Sequence, residues 1–173
     1  MSNILIAYFS RADENYFDGE LKYVDKGNTQ IVAEIIKELT GGDTFKIEMK
    51  EPYSDKYMEC IEEAKKDKKS HTHPELTNYL DSIDEYDTVI LGYPNYWGTY
   101  PMAVETFLEK YDFDGKRVLP ICTNEGSGMG SSEKHLKREI KGANIADGIS
   151  IHGSQAKDSK EAIKKWLIDN ELI

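Results

Sequence analysis

From Asp87 to Pro101 the chain reads DTVILGYPNYWGTYP, and its character changes at Gly92. Thr88 to Gly92 is a short apolar run rich in β-branched residues, as a strand buried on both faces requires. It is expected to be a central strand. Tyr93 to Pro101 then combines two prolines and a glycine with four large aromatic side chains, so the aromatics sit on a loop rather than in a regular element. Ligands of an open parallel sheet bind beyond the carboxyl ends of its strands, which is where this loop would stack a flat aromatic molecule. A local lid of Tyr96 and Trp97 over the core is the plainer alternative.

Reading outward, Asn3 to Phe9 (NILIAYF) is expected to form the first strand, followed directly by Ser10-Arg11. After an irregular segment, Asn28 or Thr29 caps a helix to about Leu39, with Ile31, Val32, Ile35, Ile36 and Leu39 at helical spacing. Asp43 to Met49 alternates like a strand with one exposed face, and Asp55 to about Lys68 is a helix with a strongly charged face. Leu76 to Ile83 suits a short helical turn, and Pro101 suits the first turn of a third helix. Arg117 to Thr123 is a fourth strand, Ser131 or Ser132 caps a helix to about Ile140, Ala143 to Ile151 is a fifth strand, and Ser159 to Asp169 closes the chain. Five strands alternating with five helices predict an α/β doubly wound parallel sheet with helices on both faces.

The 173 residues are expected to form one domain that needs no disulfide. Cys60 and Cys122 have no metal-finger or Cys-x-x-Cys spacing and read as reduced thiols of a cytoplasmic protein. The apolar run at Ile4 to Phe9 is too short for a signal-peptide core or a membrane span. A net charge of -10 argues against nucleic-acid and anionic-membrane binding and favours a partner with a basic surface, although an acidic exterior also serves solubility alone.

A doubly wound sheet gathers the strand-to-helix loops on one edge. Three of them are chemically unusual: Ser10 to Thr29, Tyr93 to Pro101 and Thr123 to Ser132. The first ends in Gly27-Asn28-Thr29 at a helix start, where free N–H groups and the helix dipole favour a phosphate; ordinary capping is the competing use. The third carries Gly126, Gly128 and Gly130, which let backbone approach a flat ring. Glu125 stands where a nucleophile elbow needs glycine, and Ser131 stands where a dinucleotide fingerprint needs its last glycine, so neither motif is complete. His71, His73 and Glu75 lie in a Pro-broken segment and are not assigned a metal. His135 and His152 have no nucleophile or carboxylate partner by spacing, Lys65 to Lys69 reads as a solvated face, and Cys122 as a buried inert thiol.

Tyr8-Phe9-Ser10-Arg11 with Gly27-Asn28-Thr29, Gly92 to Thr99, and Cys122 to Gly128 together resemble the phosphate loop and two isoalloxazine loops of the flavodoxin family. That resemblance implies a three-layer, five-stranded sheet of order 2-1-3-4-5 with FMN at the switch point, flavodoxin being the standing example of that placement. It implies phosphate contacts from Ser10, Asn28 and Thr29, with Arg11 as charge partner. Pro94, Asn95, Tyr96, Trp97 and Gly98 would flank the ring, and Thr123, Asn124, Glu125, Gly126, Ser127 and Gly128 would face its pyrimidine edge. The implied role is an electron carrier or small flavin-dependent oxidoreductase, served by a redox partner protein or a small-molecule donor or acceptor. An NAD(P)H-dependent FMN or quinone reductase and a binding module without cofactor are the alternatives. Ala12 to Lys26 departs from the family as an insertion, expected to fold over the flavin edge and select the redox partner.

Overall fold

The computed structural model describes residues 3–173. In chain order its elements are β1 (Ile4–Tyr8), β2 (Asp13–Phe17), β3 (Glu20–Val24), α1 (Asn28–Thr40), β4 (Asp43–Lys46), α2 (Tyr57–Ser70), β5 (Thr88–Pro94), α3 (Met102–Lys110), β6 (Arg117–Asn124), α4 (Ser132–Glu139), β7 (Asn144–Ile145), β8 (Ile149–His152) and α5 (Lys160–Asp169), with a 3-10 segment at Gly153–Asp158. The main sheet is parallel and runs β4-β1-β5-β6-β7, with β8 also paired to β6. The expected order is therefore present, with its fifth position filled by two short strands.

The central strands are continuous apolar runs because both faces are covered. Leu5, Ala7, Val89, Leu91 and Tyr93 pack with Ala103, Val104, Phe107 and Leu108 of α3 and Leu136 of α4. On the opposite face Ile4, Ile6, Ile90, Leu119 and Ile121 meet Val32, Ala33 and Ile36 of α1 and Ile163, Trp166 and Leu167 of α5. Each fully buried aliphatic or aromatic side chain contributes roughly 1.5–3 kcal/mol, so this double-sided burial fixes the sheet and the edge on which its loops converge.

Four stretches differ from the sequence expectation. Ala12 to Lys26 is not irregular: β2 and β3 form an antiparallel hairpin in register from Asp13 opposite Val24 to Phe17 opposite Glu20. Its turn is Asp18-Gly19, both left-handed at φ 49 and 85, the two-residue geometry that matches strand twist. β4 ends at Lys46, and Met49 instead bridges Leu76 in isolation. Leu76 to Ile83 holds no helix, its backbone being held by tyrosines: Tyr79 Oη accepts from the Leu76 N–H and Tyr111 Oη from the Leu80 N–H. The expected strand at Ala143 to Ile151 is split, since Val118 pairs Ile145 and Ile121 pairs Ile149 while Pro120, with no N–H to donate, lies at the interruption. Two caps also move by a residue or two: Gly27 precedes α1 and Pro101 precedes α3.

Candidate functional site

At the carboxyl edge of β1, β5 and β6 the chain surrounds a cleft of about 440 Å³. Its floor is Pro94 to Gly98 from the aromatic loop and Thr123, Asn124, Glu125 and Ser127 from the loop after β6. Asn28 closes one end, and Tyr57, Cys60, Ile61 and Ala64 of α2 form a wall, with Asn15 and Tyr16 of the hairpin above.

The phosphate-type end is built by α1. Ser10 Oγ accepts from the Gln30 N–H at 3.0 Å and Gly27 O from the Ile31 N–H at 3.2 Å, which leaves the N–H groups of Asn28 and Thr29 without a partner among the described residues. Only glycine fits at 27, since a Cβ there would collide with Arg11 O and Ser10 Oγ. Thr29 itself is buried, its hydroxyl 2.8 Å from that of Thr123, so these two hydroxyls satisfy each other. Arg11 turns its guanidinium to the carbonyls of Ser54, Glu14 and Asp55, binding the hairpin to the segment before α2, while its buried Nε has no partner among the described residues. Ser10 lines a smaller adjoining cavity with Arg11 and Tyr96.

The aromatic loop is a tight turn. Tyr96 N–H donates to Thr99 O at 2.7 Å, Gly98 N–H to Asn95 Oδ1 at 2.8 Å, and both Trp97 (φ 54) and Gly98 (φ 85) are left-handed. A bulky residue rarely tolerates that region. Trp97 is held there by α2: its indole N–H donates to Ile61 O at 2.8 Å, Lys65 Nζ stands 5.1 Å from its ring centre, and Lys68 donates to its carbonyl. Lysines expected to form a plain solvated face thus fix the loop. Tyr96 lies edge-on to Phe9, and its buried hydroxyl, pushed well above the usual tyrosine range by burial, has no hydrogen-bond partner among the described residues. Cys60 lies against it, its thiol also pushed up by burial.

In the third loop the N–H groups of Gly126 and Gly128 both donate to Asn124 Oδ1, at 3.0 and 2.9 Å, so they shape the loop internally. Asn95 Nδ2 donates to Gly128 O at 2.9 Å, joining the two loops. His152 has partners that sequence spacing did not reveal: Glu125 Oε2 at 2.6 Å and Asp18 Oδ1, from the hairpin tip, at 3.5 Å. Glu125 is raised by burial, opposed by His152. Ser154 Oγ donates to Asp18 at 2.9 Å, so the hairpin spans the cleft and is pinned at its far rim. Cys122 is fully buried and pushed up to about 12 by burial.

Of the residues singled out in the sequence, Arg11, Asn28, Pro94 to Gly98, Thr123 to Glu125 and Ser127 share the cleft; Ser10, Thr29, Gly126 and Gly128 support it from behind. The α2 wall escaped sequence reading; Ala12 to Lys26, expected as a cover, lines the cleft through Asn15 and Tyr16, and only its hairpin form was not foreseen. The arrangement suits an elongated ligand with an anionic end and a flat ring. Open N–H groups stand at the α1 end and aromatic surface at the other.

An open parallel sheet with a cleft at its switch point and a phosphate-type helix start defines a class of cofactor-binding α/β proteins. Within that class the flavodoxin family model matches residues 20–170, and the chain belongs to the flavodoxin family. A comparison with curated proteins gives no match. Among solved structures, a candidate flavoprotein from Bacteroides eggerthii is 28% identical with TM-score 0.76, covering 98% of each chain. One from Bacteroides uniformis is 27% identical with TM-score 0.73, covering 96% of this chain and 98% of its own. A Lactobacillus acidophilus flavoprotein in complex with FMN shares the fold at 18% identity and TM-score 0.64, covering 91% of this chain and 98% of its own.

Proposed function

We propose that this protein binds FMN in the cleft between α2 and the carboxyl edge of the sheet, and serves as an electron carrier or small flavin-dependent reductase. The observation that carries the reading is the opening of the α1 N-terminus and the Trp97-Gly98 turn into one cleft of about 440 Å³. The N–H groups of Asn28 and Thr29 and the Asn28 amide would hold the phosphate, while the α1 dipole favours its charge. Trp97 and Tyr96 would flank the ring, with Ser127 and the backbone of Glu125 at its polar edge. When bound, FMN supplies a ring that accepts one or two electrons; the protein's part is to orient it and to set the charge around it.

Two features bear on the choice between carrier and reductase. The net charge of -10 suits a protein partner with a basic surface. Trp97 is 42% exposed, so the ring end of the cleft is also open to a small donor such as a reduced nicotinamide. The purified protein titrated with FMN and with riboflavin tests the binding: FMN should bind more tightly, with visible absorbance bands perturbed on binding. Addition of NADPH to the complex without air separates the roles, bleaching by NADPH supporting the reductase and bleaching by dithionite alone the carrier. Failure of both flavins to bind overturns the proposal.

A further inference from the structure

The hairpin of β2 and β3 is tied to the rest of the chain at two places of unequal strength. At its base it is bound to the start of α2: the Arg11 guanidinium reaches Ser54 O, Glu14 O and Asp55 O, and the Glu14 N–H donates to Asp55 O at 3.2 Å. Glu14 Oε1 accepts from the Tyr57 N–H at 2.9 Å, and Tyr16 stands edge-on to Tyr57 with ring centres 5.0 Å apart. At the tip, Asp18 is the one hairpin residue bonded to the opposite rim among the described residues. Its Oδ1 accepts from Ser154 Oγ at 2.9 Å and lies 3.5 Å from His152 Nε2, which is itself 2.6 Å from Glu125 Oε2. The Asp18 side chain is 76% exposed. Exposed polar contacts hold weakly one at a time, so the tip is the end that opens and the base is the hinge.

Beneath the tip lies the start of α1. A Cβ at Gly153, between His152 and Ser154, would fall 2.4 Å from Asn28 Nδ2 and 3.2 Å from Glu125 Oε1, so the rim that holds Asp18 packs directly on the first residue of the helix. On the other side of the same helix start, Gly27 packs against Ser10 and Arg11, where the hairpin begins. β2, five residues at about 3.3 Å each, therefore crosses the α1 N-terminus from one side to the other. Asn28 and Glu125 line the cleft, whereas Asp18, His152 and Ser154 stand outside its lining and close that end beyond them. Toward the adjoining cavity of about 270 Å³ the way is taken by Arg11, fixed by its three carbonyls.

We propose that the hairpin is a strap whose latch, Asp18 on His152 and Ser154, limits the cleft to flavins that end at a single phosphate. The inference rests on the flavin reading above and adds to it what the α1 end rejects. A terminal phosphate needs room only for its own oxygens at the Asn28 and Thr29 N–H groups. A dinucleotide such as FAD has to continue past that phosphate, and its second phosphate then meets the Asp18 and Glu125 carboxylates, a like-charge encounter in a closed gap. The same latch governs rates. FMN enters and leaves while the tip is open, so releasing the tip speeds both steps and leaves their ratio, the affinity, nearly unchanged.

The test variant is Asp18→Gly, which removes the carboxylate and keeps a residue that accepts the left-handed turn at φ 49. In the flavin-free protein, tryptic cleavage after Lys22 of β3 reads the opening of the hairpin without any ligand. Cleavage should be about fivefold faster in Asp18→Gly than in the parent, and equally so in His152→Ala, which leaves the hairpin's own sequence intact. Binding of FMN and of FAD is then followed by difference absorbance. The parent should prefer FMN strongly; in Asp18→Gly that preference should fall severalfold, while stopped-flow rates of FMN entry and exit both rise. Unchanged cleavage in both variants overturns the latch, and faster cleavage in Asp18→Gly alone marks a weakened turn and also counts against it. An unchanged preference in a variant whose tip has opened overturns the selectivity, as does a parent that binds FAD as tightly as FMN. If neither flavin binds the parent, the flavin reading fails and the selectivity with it, while the cleavage rates still decide the latch. Should Asp18→Gly not fold, His152→Ala carries both measurements.

Discussion

Trp97 combines two demands that can be separated by substitution. Its φ of 54 places a large L-residue in the left-handed region, at a cost of about 1–2 kcal/mol for a residue with a Cβ. Against this stand the indole N–H bond to Ile61 O, worth about 1 kcal/mol, and the Lys65 contact, worth about 0.5–1 kcal/mol at an exposed site. Trp97→Ala keeps the backbone cost and loses both contacts, so it should destabilise the flavin-free protein by about 1.5–2 kcal/mol. Trp97→Gly loses the same contacts but removes the backbone cost, offset by about 0.4–1 kcal/mol of greater chain freedom when unfolded. The glycine variant should therefore be more stable than the alanine variant by about 0.5–1 kcal/mol, reversing the usual order of these two residues. Both lose one aromatic neighbour of the ring, about 1 kcal/mol or a roughly fivefold weaker FMN affinity. Urea unfolding of the flavin-free variants and quenching of flavin fluorescence read the two effects separately. Alanine equal to or more stable than glycine would refute the left-handed turn; unchanged affinity in both would remove Trp97 from the site.

Thr29→Ala should destabilise the protein by about 1–3 kcal/mol, because it leaves the buried Thr123 hydroxyl without its partner, and should weaken FMN and riboflavin alike. Asn28→Ala, which removes an amide from the cleft, should weaken FMN more than riboflavin; equal losses would take the phosphate away from the α1 end. Replacing Tyr16 to Val24 by a short Gly-Ser bridge removes the hairpin roof and should raise the FMN dissociation rate and change the ranking of electron donors, and unchanged rates with several donors would show that the hairpin has no redox role. Both thiols are raised by burial, so at pH 8 iodoacetamide should modify Cys60 and Cys122 only after unfolding. Mass spectrometry of the native protein checks this, and rapid labelling of either would contradict its burial.

The sequence carries its clearest signal where one residue's environment decides its type. The runs at Ile4 to Tyr8, Thr88 to Gly92 and Arg117 to Thr123 are legible because both faces of these strands are covered. The hairpin also had a signal, Asp18-Gly19 between Asn15-Tyr16-Phe17 and Leu21-Lys22-Tyr23, but its apolar residues remain exposed and so never form the buried pattern that marks a core strand. The cleft was half legible. Its loops advertise themselves by composition, whereas Tyr57, Cys60, Ile61 and Ala64 face it from a helix whose charge pattern reports only its solvent side. The Glu125–His152–Asp18 group joins three distant segments, and no spacing rule reaches that far.

The hairpin's closed base gives the insertion an unusually small topological footprint. Asp13 pairs with Val24, so the segment leaves and rejoins the chain at nearly the same point, and Gly27 packs directly against Arg11 and Ser10. The connection from β1 to α1 therefore behaves as a short one, and loop-closure entropy, which grows by only about 0.6 kcal/mol per doubling of length, is met by ladder bonds inside the hairpin itself. A segment of this kind can be lengthened, exchanged or lost without retuning the sheet. The mouth of the cleft is thus free to diverge in shape and charge while the α1 end of the fold stays as it is.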